Sequence, residues 1–216
     1  LVKTNGKNGV GIDLGVKSSI SLSTDDTYNL PLRKINVLEC EIANLQRKQA
    51  KMAKLSNNWK KMNKRINRKY KRITNIRDDF HWKTARILTK NHGLIVLEDL
   101  KIKNMTKSAS GTVENPGKNV AQKSGLNKSI LRQAWGMFAI KLEWMAQKNG
   151  AEVIYVDPKN SSRECYKCGH TEKANRPNQE TFKCQKCNHS DNADFNAAKV
   201  IYTRGLRGSA LNQALA

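Results

Sequence analysis

Cys165, Cys168, Cys184 and Cys187 form two Cys-x2-Cys pairs separated by fifteen residues. Each pair can offer two thiolates from one tight turn, and zinc takes four such soft ligands in a tetrahedron. The quartet is therefore expected to hold one structural Zn²⁺. Two disulfides would be the competing use of the same side chains, but nothing else in the sequence points to an oxidising compartment. His170 and His189 each lie two residues beyond the second cysteine of a pair and could replace a thiolate. Cys40 stands alone in a helical pattern and reads as a small buried apolar residue.

Carboxylates supply a second possible chemistry. Asp13 closes the apolar run Val10-Gly11-Ile12, and Glu98 closes Leu94-Ile95-Val96-Leu97. If those strands are neighbours, their acids meet at one end of a sheet, where open α/β sheets place ligands. Asp194 follows the last cysteine after six residues and opens a helical pattern. Three clustered acids repel one another unless a divalent cation sits among them. Such a trio could hold two Mg²⁺ about 3.5–4 Å apart, with Mn²⁺ as an alternative, the arrangement that hydrolyses phosphodiesters. Taken singly, each acid could equally be a strand-end cap or a solvated turn residue.

The elements that must position these groups read as an alternating α/β chain. Val10 to Gly15 is a short strand, and Ser19 to Ser23 alternates as its antiparallel hairpin partner should. Gly93 to Asp99 is a buried central strand, and Ala151 to Val156 another. Residues 101–127 are rich in Lys, Ser and Gly and read as a mobile loop. Leu131, Trp135, Phe138, Leu142 and Met145 mark the core face of one helix that stops at Asn149-Gly150.

Charge is unevenly spread. The 216 residues carry 40 Lys and Arg against 18 Asp and Glu, a net charge of +22, which points to nucleic acid or another anionic surface. Thirteen of these cations and no acid fall between Ile42 and Arg77. Leu38, Leu45, Met52, Trp59, Ile66, Ile73, Phe80 and Ile87 recur every seven residues through the same region. Ser56-Asn57-Asn58 interrupts the pattern, which predicts two basic helices, roughly 34–55 and 58–90, joined as a hairpin. Lys60, Lys61, Lys64, Arg65 and Arg68 are its candidate phosphate-binding residues, since a helix that needed only solubility would mix its signs. Trp59, Tyr70 and Trp82 could stack on bases, but their helical spacing reads as packing. No apolar run approaches the roughly 20 residues of a membrane helix. The chain opens Leu1-Val2-Lys3-Thr4 with neither an initiator Met nor an apolar leader, so an upstream region is expected to be missing.

Five motifs now line up in order: Gly11-Ile12-Asp13-Leu14-Gly15, Leu97-Glu98-Asp99-Leu100, Ala134-Trp135-Gly136, Ser161-Ser162-x2-Cys165-x2-Cys168-Gly169 and Asp194-Phe195-Asn196-Ala197-Ala198. Together they resemble the RuvC-like nuclease half of the TnpB proteins, transposon-encoded relatives of the single-effector type V CRISPR nucleases. The resemblance implies an RNase H-like (RuvC) mixed sheet flanked by helices, with a basic helical hairpin and an inserted four-Cys zinc ribbon. It implies a first nuclease segment over 1–162, a ribbon lying on target DNA over 163–190, and the last catalytic helix and tail over 191–216. Asp13, Glu98 and Asp194 match the family's three metal-binding acids; Asp99 and Asp191 are ranked below them because they fall outside the matching motif positions. Residues 101–127 would be a lid, and the hairpin would line the duplex of guide RNA and target DNA.

The implied activity is Mg²⁺-dependent, RNA-guided cleavage of DNA in the nucleoid-containing cytoplasm of a bacterium or archaeon, with base pairing reading the sequence. The N-terminal region that in the family grips the RNA scaffold and reads the target-adjacent motif has no counterpart here. Two other readings of the same residues stay open, a catalytically silent RNA-guided DNA binder or repressor, and a zinc-ribbon DNA-binding module whose acids are structural. An actin-like ATPase also begins with Gly-Ile-Asp-Leu-Gly, but it calls for a second glycine-rich phosphate loop that the sequence lacks.

Overall fold

The computed structural model describes residues 7–214, with side chains through residue 208. Five strands, β1 (Gly9–Asp13), β2 (Ile20–Leu22), β3 (Thr27–Tyr28), β4 (Leu94–Glu98) and β5 (Glu152–Val156), form one mixed sheet in the order β3-β2-β1-β4-β5. β2 and β3 extend β1 antiparallel, whereas β4 and β5 run parallel to it. The expected hairpin and both later strands are thus present; β3, only two residues long, gave no readable signal.

Strand periodicity sorts the side chains onto two faces. Val10, Ile12, Ile95 and Leu97 enter a core with Ala85, Leu88, Phe138, Leu142 and Met145. These last five come from α2 (Asn57–Asn91) and α5 (Trp135–Asn149), which cover that face. On the opposite face lies α6 (Ala193–Ala214), reached only because glycine leaves room for it. A Cβ on Gly11 would stand 2.2 Å from the Ala198 carbonyl oxygen, and one on Gly205 would stand 2.5 Å from Val96 Cγ2. Gly9, Gly11 and Asp13 share a face by alternation, as do Val96 and Glu98, so both strand-end acids belong to the α6 side.

The basic region folds as two helices, α1 (Leu32–Gln49) and α2, around a core of Leu30, Ile35, Leu38, Ile42, Met62, Ile66 and Ile73. Two details differ from the sequence reading. The break is residues 50–56, and Asn57 and Asn58 lie within α2, because the Ser56 hydroxyl accepts from Trp59 N–H (3.2 Å) and caps the helix there. The seven-residue repeat also drifts. An α-helix of 3.6 residues per turn rotates a strict heptad by about 20° per repeat, so Ile87 ends 40% exposed while Ala85 and Leu88 take the core. Tyr70, expected to pack, is exposed, and so is Cys40, expected to be buried; Trp82 is partly exposed but packs edge-on against Trp144 (5.3 Å).

Two further corrections concern the middle of the chain. The stretch 101–127 is not all loop: it holds α3 (Ile102–Met105) and the start of α4 (Val120–Gln133). The single helix expected across Leu131 to Met145 is broken at Ala134, whose φ of 52° and ψ of 45° are left-handed. The break is clamped from outside. The buried Gln133 side chain donates to the Val16 carbonyl (3.1 Å), and its own carbonyl lies 3.1 Å from His81 Nε2. With the rotation lost there, Leu131 turns outward.

Gly11→Ala puts a methyl group into a contact between two backbones that cannot yield independently. We expect it to cost about 2 kcal/mol or more, in the upper range for overpacking, read as a lower urea midpoint with an unchanged slope.

Candidate active site and metal centre

β1 and β4 pair Gly9 with Leu94, Val10 with Ile95 and Gly11 with Val96; the same offset carried on sets Asp13 opposite Glu98. Asp194 lies in the first turn of α6, and Asn192 caps that turn by accepting from the Asp194 N–H (2.9 Å). Asp13 and Asp194 line one cleft of about 410 Å³, together with the β1–β2 loop, Ile130, Trp135 and Arg176. Asp13 feels the other two acids. Burial, then the charges of Glu98 and Asp194, push the Asp13 carboxyl from its ordinary 3.8 up to about 8, against an opposing pull from Arg176. Burial also raises Glu98, offset by the Ser161 hydroxyl and Arg204 and reinforced by Asp157. Glu98 Oε1 is buried with no hydrogen-bond partner.

The three carboxylates do not all come within 4.8 Å of one another, so they do not form a closed single-ion site. An orphaned Glu98 oxygen, and an Asp13 that burial and then its acidic neighbours push toward the neutral form, leave this face of the sheet short of positive charge. Asp99 and Asp191, ranked lower from sequence, are engaged elsewhere: Asp99 pairs with Lys101 (2.5 Å) and Asp191 with Lys199 (2.8 Å). Arg176, which sequence reasoning missed, reaches Asp194 at 3.4 Å and the Gln179 carbonyl at 2.9 Å. Nothing in the sequence marks it among so many cations; only the fold of the cysteine module turns it toward the acids. Lys17, on the loop after β1, pairs with Glu180 of the same module across the cleft.

The four cysteine sulfurs lie within 4.8 Å of one another, the one such set of three or more metal-ligating side chains among the described residues. Cys165 Sγ is 3.7 Å from Cys187 Sγ and Cys168 Sγ is 3.6 Å from Cys184 Sγ. A tetrahedron with Zn–S bonds of about 2.3 Å has edges of about 3.8 Å, so the spacing fits zinc. The two halves repeat one another: Gly169 N–H returns to the Cys165 carbonyl (2.8 Å) and Asn188 N–H to the Cys184 carbonyl (3.1 Å). Both turning residues are left-handed, at φ 71° and 54°. The histidines are used elsewhere. His170 meets Glu172 (3.1 Å), and His189 stands edge-on to Tyr166 near Asp191. The module carries β6 (Thr181–Lys183) and β7 (Ser190–Asn192), paired antiparallel over a core of Cys165, Phe182, Cys184 and Ala193. Asn196, fully buried on α6, clasps it by donating to the Glu164 carbonyl (2.7 Å) and accepting from Tyr166 N–H (3.3 Å).

On the hairpin, Lys60, Lys61, Lys64, Arg65 and Arg68 are all exposed on α2. None of them forms an ion pair among the described residues. They lie apart from the acid cleft. Among the described residues no helix is long and apolar enough to cross a membrane.

Residues 1–109 match the family model OrfB_IS605, described as a probable transposase. The chain belongs to that family. Residues 135–201 further match the TNB domain of Cas12f1-like proteins, a span that includes the cysteine quartet and Asp194. The putative RNA-guided DNA endonuclease InsQ of Escherichia coli K12 is 43% identical over 196 residues, which are 91% of this chain and 48% of that protein. A putative RNA-guided DNA endonuclease of Streptomyces pristinaespiralis is 30% identical over 95% of this chain and 47% of its own length. The chain thus spans about half the length of the curated relatives it matches. Its fold is similar to that of Cas12f1 in a complex with guide RNA and target DNA, at a TM-score of 0.60 and 24% identity over 89% of this chain and 48% of that one.

Asp13 ties stability to pH with a definite sign. A carboxyl whose folded pKa is raised favours folding while protonated, so in metal-free protein its contribution declines as pH rises from about 4 to about 8. Asp13→Asn should therefore raise the urea midpoint at pH 8 and have little effect near pH 4; a gain independent of pH would contradict an origin in burial and carboxylate repulsion. For the cysteine module, metal analysis of reduced protein should find one zinc per chain, and a chelator should speed amide exchange in residues 163–190 before it does so in the sheet.

Proposed function

We propose that the chain is the nuclease half of an RNA-guided DNA endonuclease, an RNase H-like (RuvC) fold over 1–162 and 191–216 interrupted by a target-binding zinc ribbon over 163–190. The observation that carries this reading is the convergence of Asp13, Glu98 and Asp194. Three distant segments bring three acids to one face of the sheet, two of them, Asp13 and Asp194, lining one cleft, in a protein whose net charge is +22. Family membership and the endonuclease names of the relatives support it.

Asp13, Glu98 and Asp194 would hold Mg²⁺ or Mn²⁺, the orphaned Glu98 Oε1 being one donor. Bound there, two such ions would activate a water and stabilise the leaving oxygen of a DNA phosphodiester. Arg176 neutralises Asp194 while the acids stand alone, and its guanidinium is placed to meet a phosphate entering the same cleft. Lys60, Lys61, Lys64, Arg65 and Arg68 offer unpaired charge to the backbone of the guide RNA and target DNA, leaving sequence to base pairing. A silent binder or a purely structural ribbon module would not need the acid cluster, whose mutual repulsion is otherwise an uncompensated cost.

Asp13→Ala in the complete, guide-loaded protein should abolish cleavage of matching DNA while leaving binding within about twofold, since removing a metal ligand takes away chemistry and not the phosphate contacts. Unchanged cleavage in a gel assay with Mg²⁺ would remove Asp13 from the mechanism.

A further inference from the structure

Helix α4 is a partition with a hollow on each side. Leu126 and Ile130 face the acid cleft, whereas Ser124, Lys128 and Leu131, on the opposite side of the same helix, line a second groove of about 600 Å³ against α1 and α2. This groove has a composition of its own. Tyr70 is 47% exposed and Leu131 55%, two flat or apolar surfaces left in water on a mixed wall. The ring of Tyr70 is tethered, because its hydroxyl accepts from Gln46 Nε2 (3.3 Å).

Charge in the groove is one-sided. Its single acid, Glu39, is already taken by Arg132 Nε (3.1 Å) and Lys128 Nζ (3.3 Å). Arg77, half-buried in the wall, forms no ion pair among the described residues. A tethered aromatic face, an apolar neighbour and Arg77, a cation without an ion pair, with Lys128 beside it shared with Glu39, are the parts of a site for unpaired nucleotides, where bases stack and phosphates track the charge. A duplex keeps its base faces hidden and could use only the cations.

We propose that a single-stranded stretch of nucleic acid lies in this groove, a base stacked on Tyr70 beside Leu131 and its phosphates on Arg77 and Lys128. The strand would run along the partition whose other face forms the acid cleft. The proposal rests on the hairpin being a nucleic-acid interface, yet the two can fail separately.

The test is fluorescence anisotropy of the purified chain with labelled oligo-dT, oligo-U and a DNA duplex. Tyr70→Ala should weaken single-strand binding about tenfold and leave duplex binding unchanged, Arg77→Gln should weaken single-strand binding about tenfold and duplex binding less, while Tyr70→Phe, which keeps the ring, should bind like the parent. Neutralising Lys60, Lys61, Lys64 and Arg65 should instead weaken both forms and flatten their salt dependence. Better binding of oligo-dT or of oligo-U identifies the strand as DNA or RNA. Single-strand affinity that survives Tyr70→Ala, or falls in parallel with duplex affinity, would overturn the groove while leaving the hairpin interface standing. Displacement of the oligonucleotide by polyglutamate in the parent but not in Tyr70→Ala would also overturn it, assigning the groove to an acidic polypeptide. A parent chain that binds no nucleic acid would sink both.

Discussion

The structure depends on how closely α6 can lie against β1. Gly11 has no side chain where the Ala198 carbonyl passes, and buried Ala197 and Ala198 keep the helix surface shallow. Because the helix sits this close, its first turn reaches the carboxyl end of the parallel strands, where open α/β sheets gather their ligands. Asp194 belongs to that turn, so one steric constraint sets the distance between the third acid and the other two. Two sequence motifs that look independent, the glycines around Asp13 and the alanines after Asp194, are the two sides of one contact.

The same helix carries the cysteine module. Asn196 is two residues beyond Asp194, and both ends of its buried amide are spent on the backbone around the first zinc knuckle. The four-cysteine module is thereby fixed to the helix that carries Asp194. It returns a cation to the cleft as well, since Arg176 leaves the module to meet Asp194. The quartet and Asp194 are coupled mechanically: loosening the module would release both the orientation of Asp194 and the charge that balances it. Arg204 adds a further tie, donating to the Asp157 carbonyl (2.6 Å) and the Lys159 carbonyl (2.9 Å) on the segment that leads from β5 into the module.

Electrostatics explains why so positive a chain tolerates a cluster of acids. Its densest run of cations, thirteen between Ile42 and Arg77, is on a hairpin whose inner face supplies an apolar seam from Leu30 to Ile73. Near the cleft the balance reverses, and burial with mutual repulsion pushes Asp13 toward its neutral form. A cation beside Asp13 would offset the repulsion it feels from both Glu98 and Asp194, which another hydrogen bond could not do.

Sequence by itself determined the pieces with short-range causes. The Cys-x2-Cys spacing named a four-sulfur site, apolar runs named β1, β4 and β5, and a stretch of thirteen cations without an acid named the basic hairpin. The family motifs singled out Asp13, Glu98 and Asp194 over their neighbours Asp99 and Asp191. Tertiary structure decided what depends on partners far along the chain. The left-handed break at Ala134 is held by Val16 and His81, Arg176 is aimed by the fold of the module, and Ile87 is exposed because the helix rotates its heptad away from the seam. Periodicity reports which residues share a face, since that follows from helix and strand geometry. It does not report which face meets which, because that choice is made by close approach and by hydrogen bonds between segments that sequence distance keeps apart.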